Sequence, residues 1–227
     1  MSFSLRVSRF DFDSIAGSYD RWYDTTIGAL YDRIEKRAVS EFLPSPSGGI
    51  HLLEVGSGTG HWSRFFAGEG FLVTGLDCSP AMVSVARGKG IEGAGFLVAD
   101  AAEIPFPSAS FDVVAGITVL EFVADLHPVL EEMARCTRPG GVLVLGALNR
   151  NSLLGLRRRL RRTPIFANAE MPTVGSIREW LAPYGKPRVR AVAFTWPRFA
   201  ARPLEWLGQG ARLPWGDFIV AACCVDK

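Results

Sequence analysis

The stretch Leu52-Leu53-Glu54-Val55-Gly56-Ser57-Gly58-Thr59-Gly60-His61-Trp62 decides how this 227-residue chain folds. The apolar run Ile50 to Val55 predicts a buried strand. Three glycines at alternate positions predict a loop, and Trp62-Ser63-Arg64-Phe65-Phe66-Ala67 predicts a helix. Strand, glycine loop and helix in that order form a nucleotide-binding turn, because a bare backbone turns tightly and offers its N–H groups to a ligand. Spacing narrows the ligand. A dinucleotide fingerprint has glycines at the first, third and sixth loop positions. Gly56 and Gly58 fit, but the sixth position is His61. A bulky ring where helix and strand must pack closely argues against NAD.

Downstream residues repeat the pattern. Phe71-Leu72-Val73-Thr74-Gly75-Leu76 predicts a second buried strand ending in Asp77, and Ser79 with Pro80 predicts a capped helix start. Asp77 follows Gly58 by 19 residues, where an acid binds ribose hydroxyls, since a carboxylate accepts two hydrogen bonds from a cis-diol. Gly95 to Ala99 predicts a third strand, with Asp100-Ala101 at its end, and Phe111 to Ile117 a fourth. Asp125 to Thr137 carries Leu126, Val129, Leu130, Met133 and Thr137 at helical spacing. Arg138-Pro139-Gly140-Gly141 then turns the chain into a fifth strand, Val142 to Ala147. This alternation predicts an α/β, Rossmann-like, doubly wound sheet of seven strands, mostly parallel, with ligands at the carboxyl ends of its strands. Val189–Trp196 and Phe218–Val225 are its last two strands, an antiparallel hairpin at the sheet edge, joined by a loop with Trp206 and Trp215.

Two segments flank this frame. In residues 1–43, Ser14 is read as the cap of a helix carrying Ile15, Tyr19, Trp22 and Tyr23. A second helix carries Leu30, Ile34, Ala38 and Phe42. Pro44 to Gly49 reads as a linker. The annex is expected either to cover one sheet face or to act as a lid that closes aromatic rings over a ligand. The main domain spans 50–227, with an insertion at 149–175. There Leu153, Leu156 and Leu160 are expected to face the protein, and Arg157, Arg158, Arg159, Arg161 and Arg162 to face solvent, an anionic acceptor or an anionic membrane.

Composition excludes other classes. Apolar content of 48% supports a sizeable core, and a net charge of +2 lacks the broad basic footprint of a nucleic-acid binder. Met1 to Arg6 has no signal-peptide core, and no apolar run reaches the roughly 18 residues of a membrane span. Cys78, Cys136, Cys223 and Cys224 lack metal-ligand spacing and read as small apolar residues in a reducing cytoplasm, so no metal is expected.

The ordered motifs resemble the class I S-adenosylmethionine (SAM) methyltransferases of type 11, the group that includes ubiquinone and menaquinone biosynthesis C-methyltransferases. The motifs are Glu54 to Gly60, Asp77-Cys78-Ser79-Pro80-Ala81-Met82, Asp100 to Phe106, Phe111 to Val114 and Arg138 to Gly141. Phe12-Asp13, Ala16 and Tyr19-Asp20 match the family's N-terminal helix. The resemblance implies a set of roles. The backbone of Gly56, Ser57 and Gly58 approaches the methionine moiety, and Glu54 holds its amino group. Asp77 takes the ribose hydroxyls, and Cys78 follows it in the same motif. Met82 packs on adenine, Asp100 accepts from its amino group, and Ala101 N–H faces a ring nitrogen. Ile117 lines the sulfonium side, and Tyr19 belongs to the N-terminal cover. The chain departs from its relatives at Val119-Leu120-Glu121-Phe122-Val123, where many carry histidine after the glutamate. No base carries over to Phe122. Glu121 is either a base or a helix-start glutamate, and no catalytic residue is assigned. The resemblance implies methyl transfer to a small molecule with release of S-adenosylhomocysteine. A SAM-binding regulatory or accessory protein is the alternative. A nucleic-acid enzyme is disfavoured, because Ile117-Thr118-Val119-Leu120 is not the Asn/Asp-Pro-Pro-aromatic motif of amino-methylating enzymes.

Overall fold

The computed structural model describes residues 8–46, 49–161, 164–193 and 214–226. A 3-10 helix, Asp13–Trp22, and helix α1, Thr26–Ser40, precede the sheet. The strands are β1 His51–Val55, β2 Leu72–Asp77, β3 Ala94–Val98, β4 Phe111–Ile117, β5 Thr137–Leu148, β6 Arg188–Val192 and β7 Phe218–Cys224. Between them run α2 His61–Gly68, α3 Pro80–Gly88, α4 Leu126–Cys136, α5 Leu153–Arg161 and α6 Val174–Leu181. The seven strands lie in the order β3-β2-β1-β4-β5-β7-β6. β7 alone runs against its neighbours, pairing antiparallel with both β5 and β6.

Both faces of the sheet are covered, which is why its central strands are apolar throughout rather than alternating. Leu53, Val55, Val114 and Leu143 pack on one side with Val129, Met133 and Ile177. Leu52, Val113 and Val144 face the other side with Phe66, Ala38, Val39 and Phe42. The annex is therefore part of the core, with α1 filling one layer.

Several local expectations change. The first helical segment is a 3-10 helix, and Ser14 does not cap it: the Ser14 hydroxyl donates to the Asp11 carbonyl at 2.8 Å, while Asp11 Oδ1 accepts from Asp13 N–H. On α1, Leu30 is exposed and Tyr31 is buried in its place, because the Tyr31 hydroxyl donates to Asp217 at 2.8 Å. α4 stops at Cys136, and Thr137 opens β5 by pairing with Phe111 before the register shifts around Arg138 to Gly141. β6 ends at Val192, and Trp196 and Trp206 lie outside the described residues. Cys136 and Cys223 are buried as expected, whereas Cys224 is exposed.

The largest reversal is in α5. Leu153, Leu156 and Leu160 point outward, and Leu160 is 76% exposed. The inward face is Ser152, Gly155 and Arg158. Ser152 Oγ accepts from Gly155 N–H at 2.9 Å, and a Cβ on Gly155 would meet the Asn149 carbonyl at 2.1 Å. That close approach of helix to backbone admits only glycine, so it fixes the rotation of the helix and turns Arg158 inward. Arg157 is exposed; Arg162 lies outside the described residues.

Candidate active site

A cleft opens at the carboxyl ends of β1, β2 and β4, where a doubly wound sheet places its ligand. It encloses about 760 Å³ of empty space including its open mouth. Its floor is the glycine loop. Gly56 has φ +74°, and a Cβ there would lie 2.3 Å from Val119 Cγ2. The loop is pinned from the next strand: Gly56 and Ser57 N–H donate to the Leu76 carbonyl at 2.7 and 2.9 Å.

Asp77 joins the two halves of the floor. Its Oδ2 accepts from Gly58 N–H at 2.8 Å and its Oδ1 from Ser79 N–H at 2.9 Å. Burial raises its pKa, and those backbone donors oppose the rise. Each oxygen keeps a lone pair for a further donor. Glu54, at the end of β1, is buried and accepts from the Ser63 hydroxyl. Burial pushes its carboxyl up to about 8 against that hydrogen bond. Ser57 Oγ is buried with no hydrogen-bond partner among the described residues.

The walls come from three places. Cys78, Met82 and Ala101 line one end, with Met82 almost fully buried on α3. Ile117, Thr118 and Val119 line the other. Thr118 has φ +51°, an outlier for a β-branched residue, and its N–H donates to the Gly146 carbonyl at 2.7 Å. Phe12, Tyr19 and Tyr23 close the cleft from the annex. Burial raises the Tyr19 phenol to about 12, so it stays neutral. Trp22 is exposed and does not line the cleft.

The annex is tied to the cleft floor by polar contacts. Thr59 Oγ1 donates to Asp20 Oδ1 at 2.6 Å, and Lys89 pairs with the same carboxylate. Burial works against the Asp20 charge, yet Lys89 and Thr59 hold its pKa below the usual range. Asp13 Oδ1 accepts from Ala81 N–H at 3.0 Å and from the Ser79 hydroxyl, at the start of α3. His61 Nε2 is 2.7 Å from Asp32 Oδ1, and its ring stacks on Tyr23 at 3.5 Å. The bulky residue at the sixth loop position thus docks α1.

Of the residues expected from the sequence, Tyr19, Glu54, Gly56, Ser57, Gly58, Asp77, Cys78, Met82, Ala101 and Ile117 meet in this cleft. Asp100 does not line it; its Oδ1 accepts from Ala102 N–H at 2.7 Å. Sequence reasoning missed Thr59, His61, Trp62 and Phe122 as lining residues. Tyr23 was named among the covering aromatics. His61 and Thr59 carried a signal in Asp20 and Asp32, but only the three-dimensional packing pairs them. No group of three or more His, Cys, Asp or Glu among the described residues can hold a metal ion.

Residues 53–145 match the family described as a methyltransferase domain. That part of the chain is similar to methyltransferase domains. Over 142 residues, the chain is 35% identical to a malonyl-[acyl-carrier protein] O-methyltransferase of Serratia marcescens, covering 63% of this chain and 52% of that one. Over 136 residues it is 34% identical to a demethylmenaquinone methyltransferase of Tropheryma whipplei, covering 59% and 56%. It thus spans about half the length of these relatives. A solved SAM-dependent methyltransferase from Thermotoga maritima superposes with a TM-score of 0.74 at 22% identity, covering 94% of this chain and 97% of that one. That likeness concerns the fold alone. No helix among the described residues is long and apolar enough to cross a membrane.

Proposed function

We propose that the protein transfers a methyl group from SAM to a small-molecule acceptor. The carrying observation is the convergence of Glu54, the Gly56–Gly58 loop and Asp77 in one cleft, with the Ser57 hydroxyl of its lining left without a partner among the described residues. The orphaned Ser57 hydroxyl and the spare lone pairs of Asp77 suit a ligand rich in hydroxyl and amino groups. When bound, SAM supplies a methyl group on a sulfonium, already activated for transfer.

The chain's own residues bind and orient. Glu54 accepts from the amino group of the methionine moiety, and Gly56, Ser57 and Gly58 let the backbone approach it. Asp77 accepts from the ribose hydroxyls. Met82, Cys78 and the Ala101 backbone frame the adenine. Ile117 and Val119 exclude water beside the sulfur. Tyr19 and Tyr23 form the lid, latched through Asp20, Asp13 and Asp32. Holding two reactants in line contributes roughly 7–11 kcal/mol, so orientation can supply much of the rate. The acceptor is a small molecule, taken from above β4 and β5, where the annex and the 149–175 segment meet. The exposed leucines of α5 beside Arg157 support a weak, salt-sensitive contact with anionic membranes.

The test is incubation with methyl-labelled SAM and a metabolite extract. Formation of S-adenosylhomocysteine with label in an extracted product supports the reading. SAM binding without any labelled product would favour the regulatory alternative.

A further inference from the structure

Thr118 carries backbone strain at the edge of the cleft. Its φ is +51°, a conformation that is costly for a β-branched residue. The other non-glycine residues with positive φ among the described residues, Ala109 and Ala193, are small and do not line the cleft. Such strain persists only where the surroundings over-determine it. Three glycines do so here. A Cβ on Gly56 would lie 2.3 Å from Val119 Cγ2, and one on Gly116 would lie 3.3 Å from Val119 Cγ1. One on Gly146 would lie 2.9 Å from Ile117 Cδ1. Bare backbone thus seats the side chain on each side of Thr118, and the Thr118 N–H is fixed to the Gly146 carbonyl at 2.7 Å. Glycine at position 118 would adopt this φ without strain. The threonine side chain therefore carries a cost that the fold does not demand.

Its surroundings show what that side chain can do. Val119 packs directly on Gly56, so Thr118 stands at the β4 end of the cleft, beside the loop that approaches the methionine moiety. Four residues after β4 line the cleft, Thr118, Val119, Phe122 and Val123, and only Thr118 is polar. Glu121 is fully buried and does not line it; its Oε1 accepts from Leu148 N–H at 2.6 Å. The carboxyl group of this segment is thus spent on the fold and is neither an exposed helix start nor a base in the cleft. Across the cleft, the Ser8 hydroxyl is used locally, donating to the Phe10 carbonyl at 2.9 Å. The Thr118 hydroxyl has no partner among the described residues. It offers one donor and two acceptor lone pairs to a ligand.

We propose that Thr118 contacts the methyl acceptor: its hydroxyl hydrogen-bonds the reacting O–H or N–H group and orients it toward the methyl end of the cofactor. The proposal rests on the methyltransferase reading and names the acceptor class as an alcohol, a phenol or an amine. The strained turn holds the hydroxyl in place before the acceptor arrives, so little ordering remains to be done on binding. Glycine in its place would relax the backbone and lose the contact.

The experiment uses the full chain, SAM labelled with 13C on its methyl group, the same metabolite extract, and the variants Thr118→Ser, Thr118→Val and Thr118→Gly. Calorimetry should give each variant the parent's affinity for S-adenosylhomocysteine. Thr118→Gly should melt at or above the parent's temperature, because the strain is relieved. The initial rate of methyl transfer should fall about tenfold in Thr118→Val and in Thr118→Gly, as the loss of one hydrogen bond implies. Thr118→Ser, which keeps the hydroxyl, should recover most of that loss. The 13C shift of the product should place the methyl on oxygen or nitrogen. A purely structural threonine predicts the parent's rate in Thr118→Val, which keeps the branched shape. That result, an equal loss in Thr118→Ser, a lowered melting temperature in Thr118→Gly, or a methyl group on carbon would each overturn the proposal. A parent protein that binds no S-adenosylhomocysteine and forms none with the extract would instead remove the methyltransferase reading beneath it.

Discussion

Asp77→Asn separates the structural and ligand-binding parts of the cleft floor. The carboxylate accepts Gly58 N–H at 2.8 Å and Ser79 N–H at 2.9 Å, one on each oxygen. Asparagine keeps the shape but has a single acceptor oxygen, so its NH2 must face one of those two donors. One buried N–H then loses its partner, at about 1–3 kcal/mol. For a chain of this size that corresponds to roughly 2–4 °C of melting temperature per kcal/mol. The same NH2 cannot accept from a ribose hydroxyl. Losing one hydrogen bond to a charged group costs about 1.5–3 kcal/mol, or roughly tenfold to 150-fold in Kd. Calorimetry with S-adenosylhomocysteine measures the sum. Comparing adenosine with 2′-deoxyadenosine isolates the ribose contribution. The parent protein should prefer the ribose form, and Asp77→Asn should lose that preference. An unchanged Kd, or a ribose preference that persists in the variant, would refute the assignment of Asp77.

Gly56→Ala should destabilise the protein by about 2–5 kcal/mol, from the positive φ and from overpacking against Val119. Urea denaturation measures this, and Val119→Ala should recover part of it. Glu54, held at about 8 by burial, must ionise to meet an ammonium group. S-adenosylhomocysteine affinity should therefore weaken as the pH falls below about 8, with proton release on binding, and Glu54→Gln should flatten that dependence. Calorimetry in two buffers of different ionisation enthalpy reads it directly. The Glu121 carboxyl is raised from 4.5 to about 7 in the folded protein, so its contribution to stability is fully present below about pH 4.5 and is lost as the pH rises through about 7. Glu121→Gln should thus be more stable than the parent at pH 9, by about 3 kcal/mol, and not at pH 4.5. Equal urea midpoints at pH 9 would contradict this.

Much of the fold is legible in local sequence, because the central strands are largely apolar runs, and β1 and β2 end at a glycine and an acid. Ser79 and Pro80 cap α3 as their types demand. The glycine loop and Asp77 could be found together because their spacing reflects a single turn. Other features depend on contacts between distant segments. α5 is a case where helical periodicity misleads: its leucines repeat at helical spacing, but Gly155 and Ser152 take the inner face because the helix backbone touches Asn149. Glu121 reads as a helix-start residue until Leu148 is brought opposite it by the pairing of β4 with β5. Tyr31 displaces Leu30 only because Asp217 lies at the start of β7. Buried polar partners far apart in sequence leave no periodic trace.

The central claim is that the cleft built by Glu54, the Gly56–Gly58 loop and Asp77 binds SAM. The most direct measurement is calorimetric titration of the purified chain with SAM and, separately, with NAD. One equivalent of SAM should bind in the micromolar range, with Asp77→Asn and Glu54→Gln each weakening it and NAD showing no heat. No SAM binding at millimolar concentration, or binding of NAD in its place, would contradict the account.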